Sequence, residues 1–348
     1  MLGKIKTKRS SFVQLIISIS IFISFVSLFI LIWRCSNKSN ITTTRSIQVE
    51  PEVKLEVINW GGGGIPLIFL AGLGHTAHVF DEFAPQLTDK YYVFGITRRG
   101  FGESSQPDSG YSLSTLVEDI HNVIDSLGVG KVVVVGHSLG GDEMTLLAKK
   151  YPEDVRALIY IEAAYNRVSA RDSLFRYQVP ETPIPKPSKM DSSSAEAYRD
   201  YYARVNGVTM PLSEIKTMYS WTTDGRFNGS KTPGRIYGQI TGSLRDPDYS
   251  GINIPALAIY ATQYAVTELF IDYYTCDSTT QQAMRIYHEA ALRIDKLSRD
   301  YFRIRMIQGR VVEVKGAGHS LYITHAEETL SAIRTFLYEV LYLPLRNM

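Results

Sequence analysis

The stretch that decides the fold reads V-V-V-V-G-H-S-L-G-G and spans residues 132–141. Four consecutive valines are β-branched and apolar on both faces, which predicts a fully buried strand of a parallel sheet. The apolar residues that follow, up to Ala148, predict a helix. Between strand and helix, Gly136 and Gly140 flank Ser138 in the pattern G-x-S-x-G. This pattern is typical of a strained, sharp turn that exposes the serine at the positive end of the helix dipole.

Similar strand and helix signals alternate on both sides of this turn. Short apolar runs predict buried strands, and longer stretches with apolar residues three and four apart predict helices. Such alternation is typical of an α/β fold with a mostly parallel, doubly wound sheet. We expect an antiparallel pair at one edge of the sheet. The predicted strands are 46–50, 53–58, 65–70, 91–97, 132–136, 157–161, 256–261 and 310–314, and the predicted helices include 80–87 and 113–127.

The alternation breaks after Ala164, where the chain becomes rich in proline and tyrosine and shows no buried strand until Ala256. Residues 166–251 are therefore predicted to form a largely helical insertion, or cap. The α/β core would consist of residues 46–165 and 252–348.

Composition excludes several classes of protein. A formal net charge of +2 over 348 residues argues against a nucleic-acid-binding protein, which needs clustered Lys and Arg. Two cysteines predict no structural disulfide and no metal site. The glycine run at 61–64 lacks the lysine and the helix of a phosphate loop, so we expect no cofactor. The oligomeric state stays open.

The N-terminal region carries an apolar run of 22 residues, 12–33, broken only by one glutamine and four serines. As a helix it would be about 33 Å long, close to the thickness of the bilayer hydrocarbon core. Lys4, Lys6, Lys8 and Arg9 precede it, which predicts a cytoplasmic tail and an uncleaved transmembrane signal anchor in 1–34, followed by a linker in 35–45. We therefore expect a single-pass, membrane-anchored protein with an extracytoplasmic domain. A cleaved signal peptide and secretion are the alternative.

The chemistry of Ser138 requires further groups, because a serine hydroxyl needs a base to become nucleophilic. His319 is the predicted base, since it lies in a glycine-rich loop, 316–320, directly after the last predicted strand. The oxyanion of the reaction needs two backbone N–H donors. Leu139, next to the nucleophile, and Leu73, in the loop after the first parallel strand, are the candidates. His137 precedes the nucleophile and is expected to point away.

These motifs resemble those of α/β-hydrolase fold enzymes with a cap domain, over residues 46 to 345. The resemblance rests on L-A-G-L-G at 70–74, R-R-G-F-G-E-S at 98–104, G-H-S-L-G-G at 136–141 and G-H at 318–319. The family includes esterases, lipases, peptidases, carbon–carbon bond hydrolases, dehalogenases and epoxide hydrolases. The last two typically use aspartate at the nucleophile position, so Ser138 argues against them.

The acid that orients the base is less obvious. The family usually places an aspartate shortly after the strand that here ends at Ala261, yet residues 262–265 read T-Q-Y-A. The candidates are Glu162, which follows the strand 157–161, and Glu268 or Asp272 on the later loop. Because the strand 157–161 should lie beside the strand that ends at Ser138, Glu162 is the preferred acid, and some α/β-hydrolases draw their acid from that position.

The sequence therefore predicts a serine hydrolase that cleaves a small-molecule carboxylic ester through an acyl-enzyme. Two alternatives stay open at this point. One is a serine-dependent amide or peptide hydrolase, and the other is a non-catalytic binding protein that retains the fold.

Overall fold

The computed structural model of the chain describes residues 42–343. An eight-stranded sheet forms its centre, in the order β1-β2-β4-β3-β5-β6-β9-β10. The pair β1–β2 and the pair β2–β4 are antiparallel, and all other neighbours are parallel. The strands are β1 Thr43–Glu50, β2 Val53–Gly61, β3 Ile65–Leu70, β4 Tyr91–Ile96, β5 Val132–His137, β6 Val155–Ile161, β9 Ala256–Thr262 and β10 Gly309–Lys315.

Helices cover both faces of this sheet, as the buried valines of β5 require. Val133 and Val135 pack on one face, with two 3₁₀ turns after β3 and the last helix. Val132 and Val134 pack on the other face, with helices on either side of β5 and the end of the longest helix. The helices of the core are α1 Leu113–Leu127, α2 Leu139–Lys150, α7 Ser278–Arg305, α8 Leu321–Thr324 and α9 Ala326–Tyr342. The mostly parallel, doubly wound sheet predicted from the sequence is confirmed.

One predicted helix is wrong. The stretch expected to be helical at 80–87 forms two short 3₁₀ turns, Ala77–Phe80 and Ala84–Leu87. Pro85 lies in the first turn of the second one and lacks the N–H that a continuous helix would need.

The segment predicted as a cap contains four helices and a small hairpin. They are α3 Arg167–Leu174, α4 Ala195–Asn206, α5 Leu212–Met218, β7 Tyr219–Trp221, β8 Phe227–Ser230 and α6 Gly234–Ser243. Aromatic side chains of this segment pack on one another, and the ring of Tyr198 stacks on Phe227 with centroids 4.0 Å apart. Ile236 and Ile240 of α6 pack against Leu139 and Phe101 of the core. The segment is thus seated over the turn that carries Ser138.

The predicted membrane anchor, the basic tail and most of the predicted linker lie outside the described residues. The described part includes the last residues of that linker, where β1 begins at Thr43. Between residues 42 and 343 no helix is both long and apolar enough to cross a bilayer.

Candidate active site

Ser138 occupies a strained turn between β5 and α2. Its backbone has φ 50° and ψ −118°, a conformation that L-residues rarely adopt. The turn closes because glycines bring strand and helix together: a Cβ on Gly136 would lie 2.6 Å from the carbonyl of Gly140. Ser138 therefore precedes the first helical residue, beside N–H groups that have no partner within the helix.

Glu162 and His319 are in contact beside this turn. Glu162 follows β6 directly and has φ 49°, and its Oε2 lies 3.3 Å from Nδ1 of His319. Its other oxygen, Oε1, accepts hydrogen bonds from the Tyr165 hydroxyl at 2.7 Å and from the Ala261 N–H at 2.5 Å. The carboxylate is 6% exposed, whereas the imidazole is 55% exposed. When Nδ1–H donates to Glu162, Nε2 of His319 is left free to accept a proton.

The other two carboxylates considered from the sequence are placed differently. Asp272 lies beside Cys276, whose Sγ is 3.7 Å from Oδ2. Glu268 is packed against the Gly318 backbone, since a Cβ on that glycine would meet its Oε2. Neither carboxylate forms an ion pair with His319, whose only described carboxylate partner is Glu162. Gln263, which follows the strand ending at Thr262, is exposed and has φ 53°.

His137 connects the nucleophile turn to the loop of His319. Its Nε2 lies 3.0 Å from the carbonyl oxygen of His319, and the two rings have centroids 4.6 Å apart. Burial lowers the pKa of His137 well below its ordinary value, so the ring is neutral and its Nε2–H donates to that carbonyl. The sequence predicts only that His137 points away from the nucleophile, and it does not predict this contact of the ring with the loop of the base.

The two candidate oxyanion donors lie on either side of Ser138. The loop after β3 approaches closely, because a Cβ on Gly72 would be 3.1 Å from Cβ of Ser138 and 2.9 Å from Nδ1 of His137. Within residues 42–343 the N–H groups of Leu73 and Leu139 form no hydrogen bond. Two free donors next to a serine can stabilise an oxyanion.

Arg98 holds this loop from the side of the core. Its Nη2 donates to the carbonyl of Ala71 at 2.8 Å, and its Nε and Nη2 form a bidentate ion pair with Glu143 of α2 at 2.5 and 2.7 Å. Both side chains are almost completely buried. The pair therefore ties the loop of Leu73 to the helix of Leu139.

The Ser138 hydroxyl forms no hydrogen bond to His319 or to any other described residue. Such contacts are often long in the absence of substrate and tighten when it binds. No group of three or more His, Cys, Asp or Glu side chains in the described part of the chain is arranged to hold a metal ion.

Comparison with known proteins gives relatives of several activities. The chain is 32% identical over 114 residues to 2-(acetamidomethylene)succinate hydrolase of Mesorhizobium japonicum, which is 32% of this chain and 41% of that protein. It is 31% identical over 137 residues to epoxide hydrolase 4 of Mus musculus, 36% of each chain. Both matches span less than half of the relative's length.

Solved structures and a family model extend the likeness. The crystal structure of E-2-(acetamidomethylene)succinate hydrolase superposes with a TM-score of 0.62 and 22% identity, over 85% of this chain and 99% of the other. The sequence model of the alpha/beta hydrolase fold family matches residues 65–263, more than half of the chain. This stretch includes β3 to β6, the Ser138 turn and the whole predicted cap. The chain therefore belongs to the α/β-hydrolase fold family.

Proposed function

We propose that the protein is a serine hydrolase that cleaves a small carboxylic ester through an acyl-enzyme. The observation that carries this proposal is the contact between Glu162 and His319 beside the strained Ser138. A buried carboxylate, an exposed imidazole and a serine in a positive-φ turn are the three groups that this chemistry requires. The contact also weighs against a non-catalytic binding protein, which has no need of a paired histidine there.

In the first half of the reaction, Oγ of Ser138 attacks the ester carbonyl carbon while Nε2 of His319 takes the hydroxyl proton. The carbonyl oxygen becomes an oxyanion, which accepts hydrogen bonds from the N–H groups of Leu73 and Leu139. Glu162 stabilises the imidazolium. The imidazolium then protonates the leaving alcohol oxygen as the carbon–oxygen bond breaks, which leaves the acyl group on Ser138.

In the second half, His319 takes a proton from water, and the resulting hydroxide attacks the acyl carbon. The same two N–H groups stabilise the second oxyanion. Its collapse breaks the bond to Oγ, and the imidazolium returns a proton to Ser138. Water is consumed, and an acid and an alcohol are released.

An amide is the second candidate substrate. The relative from Mesorhizobium japonicum is named for a substrate with an acetamido group, and the same three residues would serve an amide. The relative from mouse is named an epoxide hydrolase. Ser138 weighs against that activity in this chain, since that class typically has aspartate at the nucleophile position.

Parallel assays with matched ester and amide substrates test the proposal. We expect wild-type protein to hydrolyse a short-chain p-nitrophenyl ester faster than the p-nitroanilide of the same acid, and Ser138→Ala to abolish both activities. Faster anilide hydrolysis would move the assignment to an amide hydrolase. Ester turnover that survives in Ser138→Ala would refute the role of the serine.

We also propose that the cap, residues 166–251, supplies part of the substrate pocket. Tyr237 of α6 is partly buried, packs edge-on against Phe101 at 5.6 Å and lies over Gly74 of the oxyanion loop. Leu73 belongs to the same apolar cluster. Tyr237→Ala should therefore shift the preference for acyl chain length, while Tyr274→Ala, an exposed tyrosine outside the cap, should not. An unchanged chain-length profile in Tyr237→Ala would contradict this placement.

Finally, we propose that residues 12–33 anchor the enzyme in a membrane, with the catalytic domain on the extracytoplasmic side. The support is the length and apolarity of this run and the cations that precede it.

A further inference from the structure

A buried carboxylate of the cap forms hydrogen bonds with the loop that carries Leu73. Glu214, on α5, has no exposed surface. Its Oε1 accepts from the Thr76 backbone N–H at 3.0 Å and lies 3.0 Å from Nδ1 of His75, and its Oε2 accepts from the Thr76 hydroxyl. In the described part of the chain no Lys or Arg forms an ion pair with it. All of its described hydrogen bonds therefore go to the end of this one loop.

The same loop is held from two sides. Arg98 of the core binds the carbonyl of Ala71 at its start, and Glu214 of the cap binds Thr76 at its end. The N–H of Leu73 lies between the two anchors. A donor of this kind contributes only when it is fixed where the oxyanion forms, and a displacement of about 1 Å can cost roughly a hundredfold in rate.

We propose that Glu214 is a positioning residue for the oxyanion hole: the cap fixes the loop 71–76 through Glu214, and the N–H of Leu73 is aligned only while this anchor is in place. The inference rests on the proposed serine hydrolase activity. It gives the cap a role in the chemical step in addition to substrate binding.

Glutamine and alanine at this position distinguish the geometry of the anchor from its charge. In Glu214→Gln, the amide oxygen can still accept from Thr76 N–H and from His75, and the amide nitrogen can donate to the Thr76 hydroxyl. In Glu214→Ala, all three contacts are lost. Glu196→Gln is the matched control. Glu196 is exposed on α4, and it pairs with Lys216, which lies on α5 as Glu214 does.

The test measures kcat and KM for the ester, together with the rate of labelling by a fluorophosphonate, at a temperature where each variant is folded by circular dichroism. For Glu214→Ala we expect kcat and the labelling rate to fall about 10- to 100-fold with KM changed less than about threefold. For Glu214→Gln, kcat and the labelling rate should stay within about fivefold of the wild-type values. For Glu196→Gln, both should equal the wild-type values. Unchanged kcat in folded Glu214→Ala, or a change in KM alone, would overturn the inference.

If Glu214→Ala does not fold, Thr76→Val and Thr76→Ser replace it, because only the valine removes the hydroxyl that donates to Glu214. We then expect kcat to fall in Thr76→Val and not in Thr76→Ser, and equal values would overturn the inference. Amide hydrogen exchange reports the anchor independently of activity and should be faster in residues 71–76 of the anchor-breaking variant. If wild type neither turns over the ester nor is labelled, the proposed function fails, whereas an exchange rate that does not change refutes the anchor itself.

Discussion

Three residues without the freedom of glycine adopt positive φ at the ends of neighbouring parallel strands. Ser138 follows β5, Glu162 follows β6 and Gln263 follows β9, with φ of 50°, 49° and 53°. Backbone strain of this kind tends to occur at functional sites. The turn after β9 therefore has the same strained backbone as the turns of Ser138 and Glu162, although its residue is an uncharged amide. The carboxylate that contacts His319 comes from the strand next to it.

Replacement of Glu162 by its amide tests whether this carboxylate orients His319. Glu162→Gln keeps the size of the side chain but removes the charge that favours the imidazolium and fixes the tautomer of His319. We expect ester turnover to fall by on the order of 10⁴, the size found for the corresponding change in a serine protease triad. Glu268→Gln and Asp272→Asn are the matched controls and should stay within a few-fold of wild type. Near-normal kcat in Glu162→Gln, with a large loss in one of the controls, would move the acid to the later loop.

The sequence identifies Ser138 and His319 as the candidate nucleophile and base because each lies in a glycine-rich turn directly after a strand signal. It ranks Glu162 above two other carboxylates only through the expected order of strands, since no local pattern surrounds it. The contacts of His137 and Glu214 could not be predicted. Each depends on residues more than a hundred positions away in the chain, which no local pattern in the sequence reports.

The elements around the site are connected by a few buried ionic groups. Arg98 and Glu143 connect the loop after β3 to α2, and both are less than 6% exposed. Removal of one partner of a buried pair leaves the other charge without compensation. We therefore expect Glu143→Gln to lower the free energy of unfolding by about 3–5 kcal/mol in urea titrations.

The exposed pair of Asp108 and Arg235 provides a control of the same chemistry. Asp108 is fully exposed, so Asp108→Asn should leave the free energy of unfolding nearly unchanged in the same titrations. Equal effects of the two substitutions would show that burial does not determine the contribution of the Arg98–Glu143 pair.

A second ionic group makes stability depend on pH. Burial of His78 opposes its charge, but hydrogen bonds to Asp81 and Glu56 outweigh burial and raise its pKa from 6.5 to about 10. The folded state therefore holds this proton more tightly than the unfolded state. Its stabilising contribution is fully present below pH 6.5 and is lost as the pH rises through about 10.

Urea unfolding at a series of pH values between 6.5 and 10 tests this dependence. The free energy of unfolding of wild type should fall by a few kcal/mol more than that of His78→Gln across this range, because the glutamine has no proton to lose. Parallel curves for the two proteins would contradict a shifted pKa for His78.

Elements whose signals are local are predicted well. The helix expected at 113–127 has these bounds in the structure, because Ser112 caps its first turn and Gly128 ends it with a φ of 62°. The stretch at 80–87 was harder to predict, since its apolar pattern suits a helix while Pro85 prevents a continuous one.

For the whole molecule, the mostly parallel sheet and the two-sided burial of β5 follow from the alternation of strand and helix signals. The position of the cap on the core does not follow from these signals, because its contacts with the core are made by isolated side chains of α5 and α6.

The proposed membrane anchor concerns the full chain. We expect the full chain to stay in the membrane pellet after carbonate extraction, and its catalytic domain to be digested by protease added from the extracytoplasmic side.

A charged variant provides the control for the anchor. Ile21→Arg and Ile23→Arg should each oppose membrane insertion by roughly 2.5–3.5 kcal/mol. The double variant should therefore be extracted from the membrane pellet by carbonate. Extraction of wild type with an N-terminus that begins after residue 33 would show cleavage and secretion in place of an anchor.

Every step of the proposed reaction requires that Ser138 is a nucleophile activated by His319. The most direct measurement is fluorophosphonate labelling of the full chain, with the modified peptide identified by mass spectrometry. We expect one phosphonylated residue, Ser138, with labelling abolished in Ser138→Ala and strongly slowed in His319→Asn. Labelling at another residue, or labelling of Ser138→Ala at the wild-type rate, would contradict it.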